Sequence, residues 1–323
     1  MNFRFVLPRI ATAISIALAS TLAFAAYPEQ TIKLVVPFPA GGSTDLVARA
    51  VAQEMTTALG QQVIVDNKAG AGSLIGSEYV AKAKPDGYTI LMAGLTNVFL
   101  PYVHKNLTFN PVDDYAYIGL VADLPNVIAV NASTPYKTFA DLVKAEHAKP
   151  GSMSFGSAGI ATPSHLVCEM INHQAKMKLV HVPYKGNAPA VADLMGGVIP
   201  VMCNNLGGTL PYMSSGKVRI LAQTGKTRSP SAPDVPTFSE LGIGGLDTGL
   251  WMGLVAPKGT PKEIVATLNQ ALTKALASQS LKDRFFKLGA TALNPDEAAF
   301  EERIRIDRKA WEPVLKSVDL KAQ

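Results

Sequence analysis

The residues with most to offer chemically are Gly41-Gly42-Ser43-Thr44-Asp45, set directly behind Leu34-Val35-Val36-Pro37-Phe38-Pro39-Ala40. The apolar run Ile32, Leu34, Val35 and Val36 reads as a buried strand, two prolines stop it, and two glycines free the backbone to bend. Ser43, Thr44 and Asp45 then offer N-cap chemistry to an amphipathic helix marked by Leu46, Val47, Ala50, Val51 and Met55. The first turn of a helix leaves N–H groups unpaired and carries roughly +0.5 charge, so it stabilises a carboxylate or phosphate without a basic side chain. A capped strand-to-helix turn that holds nothing is the competing reading of the same residues.

A second stretch has the same grammar. A strand over Met153 to Gly156 runs into Gly156-Ser157-Ala158-Gly159-Ile160-Ala161-Thr162-Pro163-Ser164-His165, with glycines, small hydroxyls and a proline at a helix start. Two such loops facing one another across a cleft would grip a dianion at both ends through backbone N–H groups and hydroxyls.

The elements that must position these loops alternate. Strand-like runs at Gln62 to Asn67 and Tyr88 to Ala93 are separated by helical patterns, which predicts an α/β fold with helices on both faces of a mainly parallel sheet. Tyr117 to Val130 holds two apolar segments broken at Asp123 to Asn126 and reads as a crossing into a second lobe with its own α/β series. Ile128-Ala129-Val130, Pro135 and the helix at Phe139 to Val143 parallel Gly253-Leu254-Val255-Ala256-Pro257, Pro261 and the helix at Ile264 to Leu268. Two pseudo-symmetric lobes are expected, 26–123 with 249–323 forming one and 124–248 the other, residues 227–248 being the return segment. Trp311 is expected to pack in the C-terminal helices.

Composition bounds the rest. With 48% hydrophobic and 17% charged residues over 323 positions the chain can bury a large core and has room for two domains. Arg4 and Arg9, the apolar segment Ile10 to Leu22 and Ala23-Phe24-Ala25 fit a cleaved secretory signal peptide over 1–25 and a periplasmic destination, since the apolar segment is short for a membrane span. Its loss would leave 28 basic against 25 acidic residues, a charge of +3, with none of the clustered Lys/Arg and aromatics of a nucleic-acid binder. Cys168 and Cys203 lie in apolar helix-like and strand-like runs, so two buried thiols are expected over a disulfide.

Other chemistries find little support. Gly70-Ala71-Gly72-Ser73-Leu74-Ile75-Gly76 has G-x-G-x-x-x-G spacing and lacks the acidic strand end of a dinucleotide site. A hydrolase built on Ser157 and His165 would lack the G-x-S-x-G elbow, because Gly156-Ser157-Ala158-Gly159 surrounds the serine. His104, His147, His165, His173 and His181 are scattered and no H-E-x-x-H occurs, so neither a metal nor any cofactor is expected.

Val36 to Asp45, Pro85-Asp86-Gly87-Tyr88-Thr89, Gly156 to Gly159, Val182-Pro183-Tyr184-Lys185-Gly186, Gly216 to Ala222, Pro233 to Thr237 and Gly253 to Pro257 together resemble the solute-binding receptors of tripartite tricarboxylate transporters, the Bug receptors. The resemblance spans nearly the whole mature chain and implies a type II periplasmic-binding-protein fold. Such receptors close on a small carboxylate, largely through backbone groups and water, and deliver it to a membrane permease; a monomer is implied. A sensor feeding a signalling partner would use the same cleft. Carried over by position, the resemblance makes Phe38, Ala40, Gly42, Ser43, Thr44 and Thr96 ligand candidates in the first lobe, with Asp45 bracing the loop. In the second it indicates Ser157, Ala158, Thr162, His165 and Tyr184, whereas Lys185 reads better as a solvated turn residue. Many members carry Phe-Asp where this chain has Cys203-Asn204; an asparagine there adds no negative charge and tilts the expectation toward a non-amino carboxylate.

Overall fold

The computed structural model describes residues 27–160, 162–247 and 249–317, so the expected signal peptide lies outside the described residues. Two mixed sheets organise the chain. The first runs β11-β4-β10-β3-β1-β2 and the second β7-β6-β8-β5-β9.

In the first sheet β1 (Ile32–Val36) lies parallel between β2 (Val63–Asn67) and β3 (Thr89–Gly94). Helix α1 (Ser43–Leu59) connects β1 to β2, and α2 (Leu74–Ala81) connects β2 to β3. Every residue of β1 except Lys33 is buried, as a strand covered on both faces requires. The chain then forms α3 (Leu95–Val103) and β4 (Tyr115–Leu124), and leaves for the second sheet through Pro125 into β5 (Asn126–Asn131). The break is one residue wide, shorter than the expected Asp123 to Asn126, and it is a residue that cannot donate to a ladder.

The second sheet places β6 (Ser154–Ser157) parallel between β7 (Val180–Pro183) and β8 (Val201–Asn205), with β5 antiparallel between β8 and β9 (Val218–Gln223). Helices α4 (Phe139–Ala148), α5 (Pro163–Gln174), α6 (Asn187–Gly196) and the short α7 (Leu210–Ser214) connect them. The chain returns in β10 (Leu250–Pro257), which inserts antiparallel between β3 and β4, and ends in α8 (Lys262–Ala277), α9 (Gln279–Lys287), β11 (Thr291–Ala292) and α10 (Glu297–Ser317). Trp311 of α10 is buried edge-on against Phe99 of α3, the packing role expected of it.

The sheets are therefore mixed, not mainly parallel. Both crossing strands run against their neighbours: β5 enters after the single residue Pro125, and β10 after the longer segment 224–249. The two sheets share one order: β2-β1-β3-β10-β4 matches β7-β6-β8-β5-β9, placing β1 and β6 at equivalent positions. This is the physical content of the pseudo-symmetry read from the sequence.

The cysteines correct the sequence reading. Cys168 of α5 and Cys203 of β8 form a disulfide, and both are fully buried. Burial was inferred correctly; the pairing follows from α5 lying across β8, which local pattern does not encode. A 35-residue separation makes the cross-link worth about 2–4 kcal/mol. The Cys168→Ala, Cys203→Ala double variant is expected to lose that amount in urea denaturation, and reductant should shift the unsubstituted protein toward the variant while leaving the variant where it is.

Candidate functional site

The first loop is held open by a buried carboxylate. Gly41 has φ +81°, a left-handed conformation that favours glycine, and its N–H donates to Asp45 Oδ2 at 2.9 Å. Asp45 is 1% exposed and also accepts from Arg49 Nε at 2.9 Å and from Asn67 Nδ2 at 2.9 Å. Asn67 Nδ2 reaches the carbonyl of Phe38 at 3.1 Å, fastening the end of β2 to the start of the loop. Burial pushes the Asp45 carboxyl up, but hydrogen bonds from Arg49, Gly41 and Asn67 outweigh it and hold it below the usual carboxylate range. Asp45 thus ties Gly41, Arg49 and Asn67 together, its charge answered by the guanidinium of Arg49.

The N-cap itself is Gly42, with extended backbone and no side-chain cap, not one of the three polar residues behind it. Ser43 and Thr44 stand in the first turn, Ala40 and Gly42 are exposed, and Phe38 is half-buried against the core. Thr96 is buried in the first turn of α3, after β3. An additional residue joins this side. Ser73, with φ +88°, is buried at the start of α2, and its hydroxyl has no hydrogen-bond partner among the described residues. Its neighbour Gly76 leaves no room for a Cβ, which would fall 2.9 Å from Pro37 Cα, so α2 packs directly on the first loop.

The second loop is braced by neutral groups. Ala158 N–H donates to Ser164 Oγ at 3.1 Å, and Thr162 Oγ1 donates to the carbonyl of Gly159 at 2.6 Å. Thr162 is the N-cap of α5 with Pro163 at N1, and its hydroxyl, directed to Gly159, does not cap the helix. Ser157 is fully buried, its hydroxyl 2.6 Å from His181 Nε2 and 3.1 Å from the N–H of Gly159. His181 in turn stacks on His165 with ring centroids 3.8 Å apart, and His165 Nε2 stands 3.7 Å from Glu169 Oε1. The serine's imidazole is therefore His181, not His165 as the hydrolase reading required, and His181 is half-buried on the edge strand β7. Tyr184 donates from its backbone N–H to the Ser157 carbonyl and from its hydroxyl to Asp193 at 2.7 Å; Lys185 is exposed.

A hydrogen bond ties the first loop's helix to the second sheet. Ser43 Oγ, in the first turn of α1, lies 3.1 Å from Asn205 Oδ1 at the end of β8. Asn205 also receives the N–H of Gly208 at 2.8 Å. Asn204 beside it is fully buried, and Cys203, one residue earlier, is tied to α5 by the disulfide. The start of α1 and the end of β8 thus meet, bringing together Ser43 and Asn205. Surface hollows of about 620 and 710 Å³, lined by residues such as Tyr102, Arg305 and Arg308 or Ile75, Tyr79 and Tyr88, include none of the expected ligand residues. Among the described residues no cluster of His, Cys, Asp and Glu could hold a metal ion.

Asn67, His181 and Asn205 were not singled out from sequence. Each acts through a partner 22, 24 or 162 positions away, and only the strand register supplies it: Asn67 ends β2 opposite Val36, and Ser157 and His181 lie on neighbouring strands β6 and β7.

Two α/β units of one sheet order, linked by crossing strands and each presenting a glycine-bearing strand-to-helix loop, define a periplasmic-binding-protein-like solute-binding fold. The profile of the tripartite tricarboxylate transporter family receptor matches residues 47–320, and the chain belongs to that family. It is 37% identical to the periplasmic binding protein BugD, covering 92% of this chain and all of that one with a TM-score of 0.80. MatC from Rhodopseudomonas palustris, with bound malate, is 31% identical with a TM-score of 0.79 over 90% of this chain and all of its own. The R. palustris protein Rpa4515, with adipate, is 31% identical with a TM-score of 0.81, over 90% of this chain and 97% of its own. The family is one of solute-binding receptors, not of enzymes.

The half-buried imidazole of His181 makes the second loop's foundation acid-sensitive. Burial disfavours the charged form of His181 and repulsion from His165 adds to it, lowering the pKa from 6.5 to about 4. As pH falls below about 6.5 the unfolded chain takes up a proton that the folded one refuses, so this contribution to stability is complete above about pH 6.5 and is lost toward pH 4. A side-chain amide can serve Ser157 in either hydrogen-bonding role, so His181→Gln should show a flatter loss of urea stability than the unsubstituted protein between pH 6.5 and 4; parallel curves would remove His181 from the account.

Proposed function

We propose that this protein is a periplasmic receptor that captures a small carboxylate between its two units and delivers it to a membrane permease. The observation that carries the reading is the equivalence of the two loops. β1 and β6 occupy the same place in their sheets, each ends in glycine and small hydroxyl residues, and each runs into a helix whose N-terminus has no side-chain cap. Such N-termini favour anions without a charged side chain. Malate in MatC and adipate in Rpa4515 agree with the same ligand chemistry.

In this reading the division is 26–123 with 249–323 against 124–248, the ligand lying where Ser43 approaches Asn205. Ala40, Gly42, Ser43 and Thr44 meet the carboxylate from one side, Ala158 and Thr162 from the other, and Asn204 closes the floor. Phe38 and Thr96 shape the first wall, while Ser157, His165 and Tyr184 hold the second loop in place. In this reading the protein works as a monomer without a cofactor and catalyses nothing. The leader sequence over 1–25 supports the periplasm, and no described helix is long and apolar enough to cross a membrane.

Thermal unfolding of the mature protein against mono-, di- and tricarboxylates and amino acids tests the reading. A true ligand at 100 times its Kd should stabilise the native state by about 2.7 kcal/mol. Absence of a shift with every carboxylate would overturn the proposal. Gly42→Val supplies the site-level control. Gly42 has φ −75°, and a Cβ there meets only the Pro39 carbonyl at 3.4 Å, so the variant should fold normally yet lose binding at least tenfold because the valine covers the backbone N–H groups. Unaltered affinity would remove this loop from the site.

A further inference from the structure

Beside the Ser43 and Asn205 pair, the two units touch backbone to backbone. Gly207 follows β8 of the second sheet, and Leu288 and Gly289 precede β11 of the first. A Cβ built on Gly207 would overlap the carbonyl oxygen of Leu288 and lie 2.9 Å from the carbonyl carbon; one built on Gly289 would lie 3.0 Å from the Gly207 nitrogen and 3.2 Å from its Cα. Gly289 has φ +67°, a left-handed conformation that favours glycine whatever surrounds it, but Gly207 is not left-handed. Only the contact requires Gly207 to lack a side chain.

Each side of the contact is anchored within its own unit. Leu206 is fully buried, its N–H donates to the Pro125 carbonyl at 2.8 Å, and its carbonyl takes the N–H of Thr209 at 2.9 Å. Opposite, the N–H of Leu288 donates to the Arg284 carbonyl at 3.0 Å and that of Ala290 to the Phe285 carbonyl at 2.8 Å. Among the described residues no backbone hydrogen bond fastens Gly207 to Leu288 or Gly289, so the contact can part without breaking one, yet it cannot close further. Two hydrogen bonds with one partner in each unit accompany it: Ser43 Oγ with Asn205 Oδ1 at 3.1 Å, and Ser231 Oγ to the Phe286 carbonyl at 2.7 Å.

We propose that Gly207 and Gly289 form a bearing that sets how closely the two units approach, and that Gly207 is a positioning residue for solute binding. This rests on the two-unit capture reading above. A side chain at position 207 acts as a wedge. Because both segments are held by their own units, the overlap is relieved by separating the units, which carries Asn205, two residues from the wedge, away from Ser43. Loops on the two units then no longer engage a solute together, and only the contacts made by one unit remain.

Spin labels at Lys82→Cys and Lys178→Cys, exposed positions in different units, measure the separation in the mature protein with and without malate or adipate, and calorimetric titration with the same acids measures affinity. The native cysteines are paired and take no label. Gly207→Ala and Gly207→Val are compared with Gly244→Ala, where a Cβ meets nothing within 4 Å and the backbone is not left-handed. The shortest separation populated by the unsubstituted protein should be missing from both Gly207 variants and kept in Gly244→Ala. Affinity for whichever acid binds should fall at least tenfold in Gly207→Ala and further in Gly207→Val. A folded Gly207→Val that keeps the shortest separation and binds within threefold of the unsubstituted protein would overturn the bearing and spare the carboxylate reading; if that variant does not fold, the same result in Gly207→Ala would do so. Failure of the unsubstituted protein to bind either acid would count against the carboxylate reading, and the label separations alone would then decide the bearing.

Discussion

The structure turns on the electrostatics of burying a carboxylate, Asp45, in the first turn of α1, at the positive end of that helix. Left unanswered, a buried negative charge in the first turn of α1 would spend the positive end of the helix on itself. Arg49, the Gly41 N–H and Asn67 take it up instead, and in doing so they fix the left-handed turn at Gly41, tie β2 to the loop through Phe38, and leave Gly42 uncapped. The brace thus creates the open N-terminus. The second loop reaches the same end with no charge: Ser164, Thr162 and Ser157 take the hydrogen bonds, and the half-buried imidazole of His181, its pKa lowered to about 4, stays neutral near pH 7. The two sites are alike in backbone and unlike in their foundations.

The sheet order explains why the loops can meet. Each unit keeps its parallel core, β2-β1-β3 or β7-β6-β8, with the glycine loop after the central strand, and each accepts one strand from the other side of the crossing. β4 and β5 are joined by Pro125 alone, and β10 returns with Leu250 opposite Leu124. Just before the crossing, Arg303 of α10 binds Asp123 at 3.3 Å and Asp307 at 3.1 Å, and the indole of Trp251 donates to Asp307. Beyond it, Thr224 donates from its backbone to the Asn126 carbonyl, and Leu206 to that of Pro125. The crossing is braced on both sides and narrow between them, which is where a two-unit fold has its freedom to hinge.

Much of this was legible in sequence because it is local. A β-branched run, two prolines, two glycines and an amphipathic helix specify β1, the loop and α1 within 30 residues, and the same grammar recurs at Ser157 to His165. Strand direction is not local: β5 and β10 read as apolar runs whatever their orientation, so the mixed character of the sheets was missed. The Cys168 and Cys203 disulfide was missed for the same reason, since each cysteine also satisfies its neighbourhood as a small apolar residue. Asp45 was placed in its bracing role by charge alone; its partner Asn67 needed the register of β1 with β2.

Asn126 stands at the crossing between the two units. It is the first residue after Pro125, so whatever it contacts is contacted at the crossing itself, whereas Ser43 and Ala158 stand at the ends of loops that belong to different units. A ligand can favour one arrangement of two units only by interacting more strongly with it. Contacts made by a single loop are the same in either arrangement and supply no bias. The Ser43 and Asn205 pair shows the first loop and the end of β8 already within hydrogen-bond distance. An anion seated between them would meet groups from both units at once, and binding energy gained from both is the part that would distinguish a closed arrangement from an open one.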